Sequence, residues 1–85
     1  EYFGYAPRGE SLDFVQDGRI TVGGELPINT SGGNLAEAYT HGFEIINEAV
    51  RQLRGESTCQ VDDAEICLVA SGPGVAPLSS VILRR

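Results

Sequence analysis

The stretch that decides the fold is LPINTSGGNLAEAYTHGFEIINEAVRQLRG, residues 26–55. It opens with a short, mostly apolar stretch of four residues, and a Thr-Ser-Gly-Gly corner follows them. Two successive glycines permit backbone conformations that other residues disfavour. We therefore predict a short strand over residues 26–29 that ends at Gly32 and Gly33, and such a corner is typical of a loop that positions functional groups.

An amphipathic helix is predicted from about Leu35 to Arg54, and Gly55 is expected to cap its C-terminus. Its apolar stripe at helical spacing is Leu35, Tyr39, Gly42, Ile46, Ala49 and Leu53, widened by Ala38 and Ile45. The opposite side is assigned to Glu37, Glu44 and Glu48. The start stays open, since Thr30, Ser31 and Asn34 could each cap it. The apolar face is expected to cover a sheet.

Two further strands are predicted after the helix. The apolar run 64–70 is strand-like in length, the turn Ser71-Gly72-Pro73-Gly74 follows it, and residues 78–83 make the last strand. A strand, crossover helix and strand imply a right-handed parallel unit, and the short last loop favours an antiparallel pair. The first 25 residues are expected to be loop with a small hairpin at Asp17-Gly18. The fold class is therefore α/β, with a crossover helix packed on a mixed sheet.

Composition excludes several function classes. The formal net charge is -6, with no Lys, so the chain lacks the basic face that nucleic acid needs and a Schiff-base lysine. No run of about 18 apolar residues and no leader sequence is present, which predicts no membrane span and a cytoplasmic location. Cys59, Cys67 and the lone His41 match no disulfide framework and no zinc spacing. We expect two reduced thiols, with Cys67 buried and Cys59 exposed.

Several separated blocks resemble one known family. They are FGY at 3–5 through GE at 9–10, FVQDG at 14–18, LPINTSGG at 26–33, EAVRQLRG at 48–55 and the glycine turn at 71–74. In this order they closely resemble the C-terminal part of thiolase-like enzymes, especially bacterial proteins labelled non-specific lipid-transfer proteins. The resemblance covers nearly the whole chain. It implies that residues 1–85 are the C-terminal part of a thiolase C-terminal domain, a fragment of a longer protein.

The chain departs from the thiolase motifs at two positions. In thiolases an Asn-x-x-Gly-Gly corner precedes a Gly-His-Pro motif, and a Cys-x-Gly-x-Gly motif follows near the C-terminus. The Asn and His help to build an oxyanion hole, and the Cys exchanges protons with the substrate. Here the Asn is Asn29, but Tyr39 stands at the His position and Ala70 at the Cys position. Both acid/base residues of an ordinary thiolase are missing, and the family's nucleophilic Cys lies upstream of the part that this chain matches.

These departures favour one reaction. A Claisen condensation or thiolysis needs a thiolate and a second acid/base, which Ala70 cannot supply. A retro-aldol cleavage of a 3-hydroxyacyl-CoA needs a base for the hydroxyl proton and a group that stabilises the enolate. The thiolase-like aldolases that trim side chains from steroid acyl-CoA esters resemble this sequence in having Tyr at the helix start. The resemblance implies Tyr39 as the acid/base, Asn29 as the oxyanion-side residue and His41 as a secondary candidate.

Simpler interpretations stand beside these assignments. Tyr39 lies on the predicted apolar stripe and could be a core aromatic residue, and Asn29 could merely satisfy its own turn. His41 is two positions from Tyr39, so we expect it on another face near Glu37 and Glu44, solvated or salt-bridged. The predicted substrate-binding glycines, whose backbone would approach the thioester, could be turn residues alone: they are Gly32, Gly33, Gly72 and Gly74.

The resemblance also implies the partners. The substrate is a CoA thioester of a sterol-like or branched acid, with no bound cofactor and no metal. The rest of the thiolase fold is required, so the isolated chain is expected to be inactive. A homodimer and a small partner protein with an OB fold and a zinc ribbon are further expectations. The rival functions are a non-catalytic lipid-binding or acyl-CoA-binding subunit and an acetyl-CoA acetyltransferase with roles filled from upstream.

Overall fold

A computed structural model describes residues 1–72 and 76–85. These residues form two helices, one 3-10 turn and two strands: helix α1 (Ser11–Phe14), the 3-10 turn Gly33–Leu35, helix α2 (Phe43–Arg54), strand β1 (Ile66–Ser71) and strand β2 (Ser79–Arg84). Within this part of the chain, no helix is long and apolar enough to cross a bilayer.

The two strands form an antiparallel hairpin, as predicted. Ile66 lies opposite Arg84, Val69 opposite Val81 and Ser71 opposite Ser79. Helix α2 packs on this hairpin and buries Ala49 and Leu53 on the side where Val69 is buried. A helix on a two-stranded sheet confirms the α/β class.

Helix α2 ends where the sequence predicts. Gly55 adopts the left-handed conformation, with φ 73°, and the Glu56 N–H donates to the Arg51 carbonyl at 2.9 Å. Glycine pays no steric penalty for this conformation, which turns the chain out of the helix and satisfies a terminal carbonyl. The predicted C-cap is confirmed.

The predicted helix start is wrong. Helix α2 begins at Phe43, not near Leu35, and its N-cap is Gly42 without a side-chain cap. His41 has φ 54° and Gly42 has φ 89°, values that a right-handed helix cannot contain. The Gly33–Leu35 turn is therefore separated from α2 by a non-helical segment, which carries Tyr39 and His41.

The predicted strand at residues 26–29 is also wrong. The Leu26 N–H donates to the Arg19 carbonyl at 2.9 Å and the Ile28 N–H donates to the Ile20 carbonyl at 3.0 Å. Two isolated hydrogen bonds to a turn make no ladder, so the sheet in the described residues is β1 and β2 alone. The parallel crossover unit and the mixed sheet are therefore not found in residues 1–72 and 76–85.

The first 25 residues contain turns and the short helix α1 in place of a hairpin. Phe14 belongs to α1, so it is not extended and cannot pair with residues 20–22 as a strand. The predicted turn itself is confirmed, because Asp17 has φ 57° and Gly18 has φ 74°. Turn chemistry was thus read correctly, whereas the strand character of the flanking residues was not.

Gly32→Ala is expected to destabilise the glycine corner. Gly32 has φ 86°, and a Cβ there would lie 2.5 Å from the Ala36 Cβ. Gly23→Ala is the matched control, since Gly23 has φ 87° with nothing within 4 Å of its Cβ position. Both variants should lose about 1–2 kcal/mol from the left-handed backbone, and Gly32→Ala should lose more because of the contact. Equal losses in urea unfolding would contradict this.

Candidate active site

An open cleft of about 680 Å³ lies between the glycine corner, the segment that precedes α2 and the neighbouring ends of β1 and β2. Four predicted site residues line it: Asn29, Tyr39, His41 and Gly72. Its other lining residues are Asn34, Gly42, Phe43, Ile45, Ile46, Val69, Ala70, Ser71, Ser79, Ser80 and Val81. Side chains far apart in sequence are thus brought to one concave surface.

Asn29 directly precedes the Thr-Ser-Gly-Gly corner. Its φ is 49°, a left-handed conformation that Asn tolerates better than most residues, and its carbonyl accepts from the Gly32 N–H at 2.8 Å. Gly33 is buried beneath it, and a Cβ on Gly33 would lie 3.9 Å from the Asn29 Cβ. The turn interpretation of Gly32 and Gly33 is therefore satisfied. Neither glycine lines the cleft, and their contact with substrate stays a prediction.

Tyr39 and His41 lie side by side, with ring centroids 5.2 Å apart and an angle of 44° between the planes. The expectation that His41 occupies another face is wrong, because the segment is a turn and not a helix. The core interpretation of Tyr39 is wrong as well, since the side chain is 62% exposed among the described residues. Tyr39 therefore borders the cleft with an aromatic neighbour that can orient its ring.

The three glutamates do not share a solvated face. Glu37 is partly exposed and pairs with Arg51 at 3.4 Å, an exposed pair of the kind that contributes little stability. Glu44 and Glu48, however, are buried. Their spacing of four residues, continued by Gln52, placed them on one helix face and could have indicated a buried polar row. Apolar character alone did not predict this burial, because glutamates on a helix usually face solvent.

Glu44 holds the turn that carries Tyr39 and His41. Its Oε2 accepts from the Thr40 N–H at 3.0 Å and from the Thr40 hydroxyl at 2.9 Å. Burial alone would raise the pKa of the Glu44 carboxyl, but hydrogen bonds from backbone N–H groups and from the Thr40 hydroxyl outweigh it and leave that pKa below its ordinary value. The group at the base of this turn is therefore a carboxylate.

Glu48 is the centre of a buried hydrogen-bond network. Its Oε1 accepts from the Thr30 hydroxyl at 2.7 Å, the Ser57 hydroxyl at 2.6 Å and the Gln52 amide at 2.9 Å. Gln52 in turn accepts from the Val61 N–H at 2.9 Å. This network ties the glycine corner and the segment after α2 to one helix face. Burial raises the pKa of Glu48, but the three donors more than offset it, so the pKa lies below its ordinary value.

The lowered pKa of Glu48 predicts a pH-dependent stability. The carboxyl ionises at about 4.5 when unfolded and at a lower pH when folded. Its contribution is therefore complete above pH 4.5 and is lost as the pH falls through the folded pKa. In urea unfolding between pH 6 and pH 3, Glu48→Gln should show a smaller pH dependence than wild type. Ser57→Ala removes one donor and should give an intermediate dependence; a wild-type dependence in Glu48→Gln would contradict the assignment.

The two thiols are free, with Cys59 exposed and Cys67 partly buried. Burial, followed by the nearby Glu48 carboxylate, raises the pKa of the Cys67 thiol, which makes it a poor nucleophile. Within residues 1–72 and 76–85, no group of three or more His, Cys, Asp or Glu side chains could hold a metal ion.

A sequence model described as "Thiolase C-terminal domain-like" matches residues 1–85. The chain belongs to this family. A "17-hydroxy-3-oxo-4-pregnene-20-carboxyl-CoA lyase" of Mycobacterium tuberculosis is 54% identical, and a "Steroid side-chain-cleaving aldolase" of Thermomonospora curvata is 51% identical; each match covers 98% of this chain and 21% of the relative. An "Acetyl-CoA acetyltransferase" of Methanothermobacter thermautotrophicus is 34% identical over 95% of this chain and 22% of that protein.

A solved structure of this kind is also similar. The "Ltp2-ChsH2(DUF35) aldolase" matches with a TM-score of 0.88 and 51% identity, over 95% of this chain and 21% of that one. The chain thus spans about a fifth of the length of the proteins that it matches. The predicted resemblance to the steroid side-chain aldolases of the thiolase-like family is confirmed.

In this thiolase C-terminal domain-like chain, residues at the end of β1 line the cleft. Ala70 lines it, as does Gly72, which has φ 77°. That Ala70 occupies the position of the thiolase cysteine stays a prediction from the motif. Gly74 lies outside the described residues, and its predicted role stays a prediction. The cleft serines Ser71, Ser79 and Ser80 were missed by the sequence argument, which treated the hairpin only as structure.

Proposed function

We propose that this segment is part of a thiolase-fold enzyme that cleaves the 3-hydroxyacyl-CoA thioester of a steroid acid by a retro-aldol reaction. The observation that carries the proposal is the cleft that places Tyr39 and Asn29 together while Ala70 removes the thiolase acid/base. The names of the two steroid-acting relatives support the same reaction class, because one is a lyase for a hydroxylated steroid carboxyl-CoA and the other a side-chain-cleaving aldolase.

The proposed step needs no covalent acyl-enzyme. In the proposed step Tyr39 acts in its phenolate form: it takes the proton of the hydroxyl on carbon 3 as the bond between carbons 2 and 3 breaks, and it becomes a neutral phenol. Carbon 3 becomes a ketone, and the electron pair passes to the thioester as an enolate, whose oxygen accepts a hydrogen bond from the Asn29 amide. Carbon 2 then takes up the proton that Tyr39 holds, which regenerates the site. His41, whose ring is tilted against that of Tyr39, helps to hold the tyrosine ring in this proposal.

Partners are part of the proposal. The name "Ltp2-ChsH2(DUF35) aldolase" combines two components, which supports a partner protein for this chain too. We propose that the partner is small, with an OB fold and a zinc ribbon, and that the complete enzyme is a homodimer. No cofactor is required by the step above. A cytoplasmic location stays a prediction.

The test is cleavage by the complete protein, with and without its partner, of a 3-hydroxyacyl-CoA that bears a steroid ring system. We expect release of a ring ketone and a shortened acyl-CoA in equal amounts, and chromatography measures both products. A thiolysis assay with free CoA and a 3-oxoacyl-CoA serves as the comparison, and it should give no product because Ala70 replaces the cysteine. Binding of the substrate without cleavage would favour the lipid-binding subunit; thiolysis would favour the acetyltransferase.

A further inference from the structure

Helix α2 carries two buried carboxylates one turn apart. Glu44 is 3% exposed and Glu48 is 7% exposed. Like charges four residues apart on a helix oppose each other, and burial of a carboxylate is costly unless donors surround it. The donors around each carboxylate must therefore offset both costs.

Each carboxylate binds the threonine that directly follows a proposed catalytic residue. Glu48 accepts from the Thr30 hydroxyl at 2.7 Å, and Thr30 follows Asn29. Glu44 accepts from the Thr40 hydroxyl at 2.9 Å and from the Thr40 N–H at 3.0 Å, and Thr40 follows Tyr39. We call these two contacts the Glu48–Thr30 clamp and the Glu44–Thr40 clamp.

The backbone beside each clamp is in a sparsely populated conformation. Asn29 has φ 49° and His41 has φ 54°, and such conformations persist only where the surroundings impose them. The Thr40 N–H belongs to the peptide group that joins Tyr39 to Thr40. The hydrogen bond to Glu44 therefore fixes the orientation of the peptide plane that directly follows Tyr39. The second Glu44 oxygen is buried without a hydrogen-bond partner among the described residues. The direct hydrogen bonds of this carboxylate to a neighbouring side chain are therefore made by the other oxygen, to Thr40.

We propose that Glu44 and Glu48 are positioning residues, Glu44 for Tyr39 and Glu48 for Asn29. One turn of a rigid helix then sets the spacing between the acid/base and the oxyanion donor on two walls of one cleft. The inference rests on the proposed retro-aldol function. Its consequence is steep, because a displacement of about 1 Å at a reacting group can cost about a hundredfold in rate.

The competing interpretation is that the clamps only stabilise the fold. Both interpretations predict lower stability in clamp variants, so stability alone cannot separate them. A double-mutant cycle does separate them, because a residue that acts through Tyr39 has nothing left to act through once the phenol hydroxyl is gone. A purely structural residue lowers activity by the same factor in every background.

The test uses the complete protein with Glu44→Gln and Thr30→Val, each alone and in the Tyr39→Phe and Asn29→Asp backgrounds, in steady-state assays that give kcat and KM. Glu44→Gln should lower the cleavage rate about tenfold to a hundredfold in the wild-type and Asn29→Asp backgrounds, with KM within about twofold. In the Tyr39→Phe background it should lower the rate by less than about twofold. Thr30→Val should show the reverse pattern. Thr21→Val removes a similar hydroxyl contact, 2.7 Å to the Gly18 carbonyl, away from the cleft, and should leave the rate unchanged.

Equal losses in all backgrounds would overturn the positioning roles. Hydrogen exchange, followed by mass spectrometry, gives a measurement that does not depend on activity. Thr30→Val should speed exchange in residues 29–33 and not in 39–43, and Glu44→Gln should do the opposite. If wild type cleaves no 3-hydroxyacyl-CoA, the proposed function fails, and unchanged exchange in both segments would overturn the clamps independently of it.

Discussion

Tyr39→Phe is expected to lower retro-aldol cleavage by about 10²–10⁴-fold, the usual contribution of a positioned acid/base. The substitution removes one oxygen and keeps the ring, so the tilted ring contact with His41, at a centroid distance of 5.2 Å, should persist. KM should change little, because the hydroxyl acts on the proton in transit and not on the CoA portion. The measurement is steady-state kinetics of the complete protein on the steroid 3-hydroxyacyl-CoA.

Tyr5→Phe is the matched control for this prediction. Tyr5 is also exposed, loses the same oxygen and does not line the cleft. It should keep wild-type kcat and KM. A Tyr39→Phe enzyme with wild-type kcat would remove Tyr39 from the chemistry, and His41 would then be the remaining acid/base candidate in the cleft.

Asn29→Asp is expected to lower kcat by about 10²–10³-fold, the effect of losing one oxyanion donor. Asp has nearly the same shape and tolerates the left-handed conformation that Asn29 adopts at φ 49°. The fold should therefore survive, and the loss should come from replacing an N–H donor by a negative oxygen beside the developing enolate. The measurement is kcat and KM on the same substrate.

Asn34→Asp separates the loss of the donor from the added charge. Asn34 lines the same cleft, so this variant introduces the same negative charge near an anionic CoA ester. It should raise KM and leave kcat nearly unchanged. An Asn34→Asp variant with as low a kcat as Asn29→Asp would show that charge, and not the lost donor, accounts for the effect.

The residues of the site were predicted more fully than their arrangement in space. The Asn-x-x-Gly-Gly corner, the tyrosine and the alanine were chosen from motif positions, and the structure places Asn29, Tyr39 and Ala70 along one cleft. Their roles stay predictions. The orientation of His41 could not be predicted, because the helical pattern extended through residues that the chain places in a left-handed turn.

The glutamates show where residue type misleads. Polar residues on a helix usually face solvent, and that rule assigned Glu44 and Glu48 to the surface. Both are buried because loop threonines reach them as donors, and these partners lie in segments whose path the sequence pattern could not give. A buried acid is recognised only when its donors are located.

By itself the sequence determined the α/β class, the end of the helix at Gly55 and the family. These depend on local spacing and on glycine, whose effects act within a few residues. Only the tertiary structure decided that the helix starts at Phe43, that residues 26–29 form no strand, and that two carboxylates hold the cleft residues. The physical reason is that strand pairing and burial of charge depend on partners distant in sequence, which no local pattern specifies.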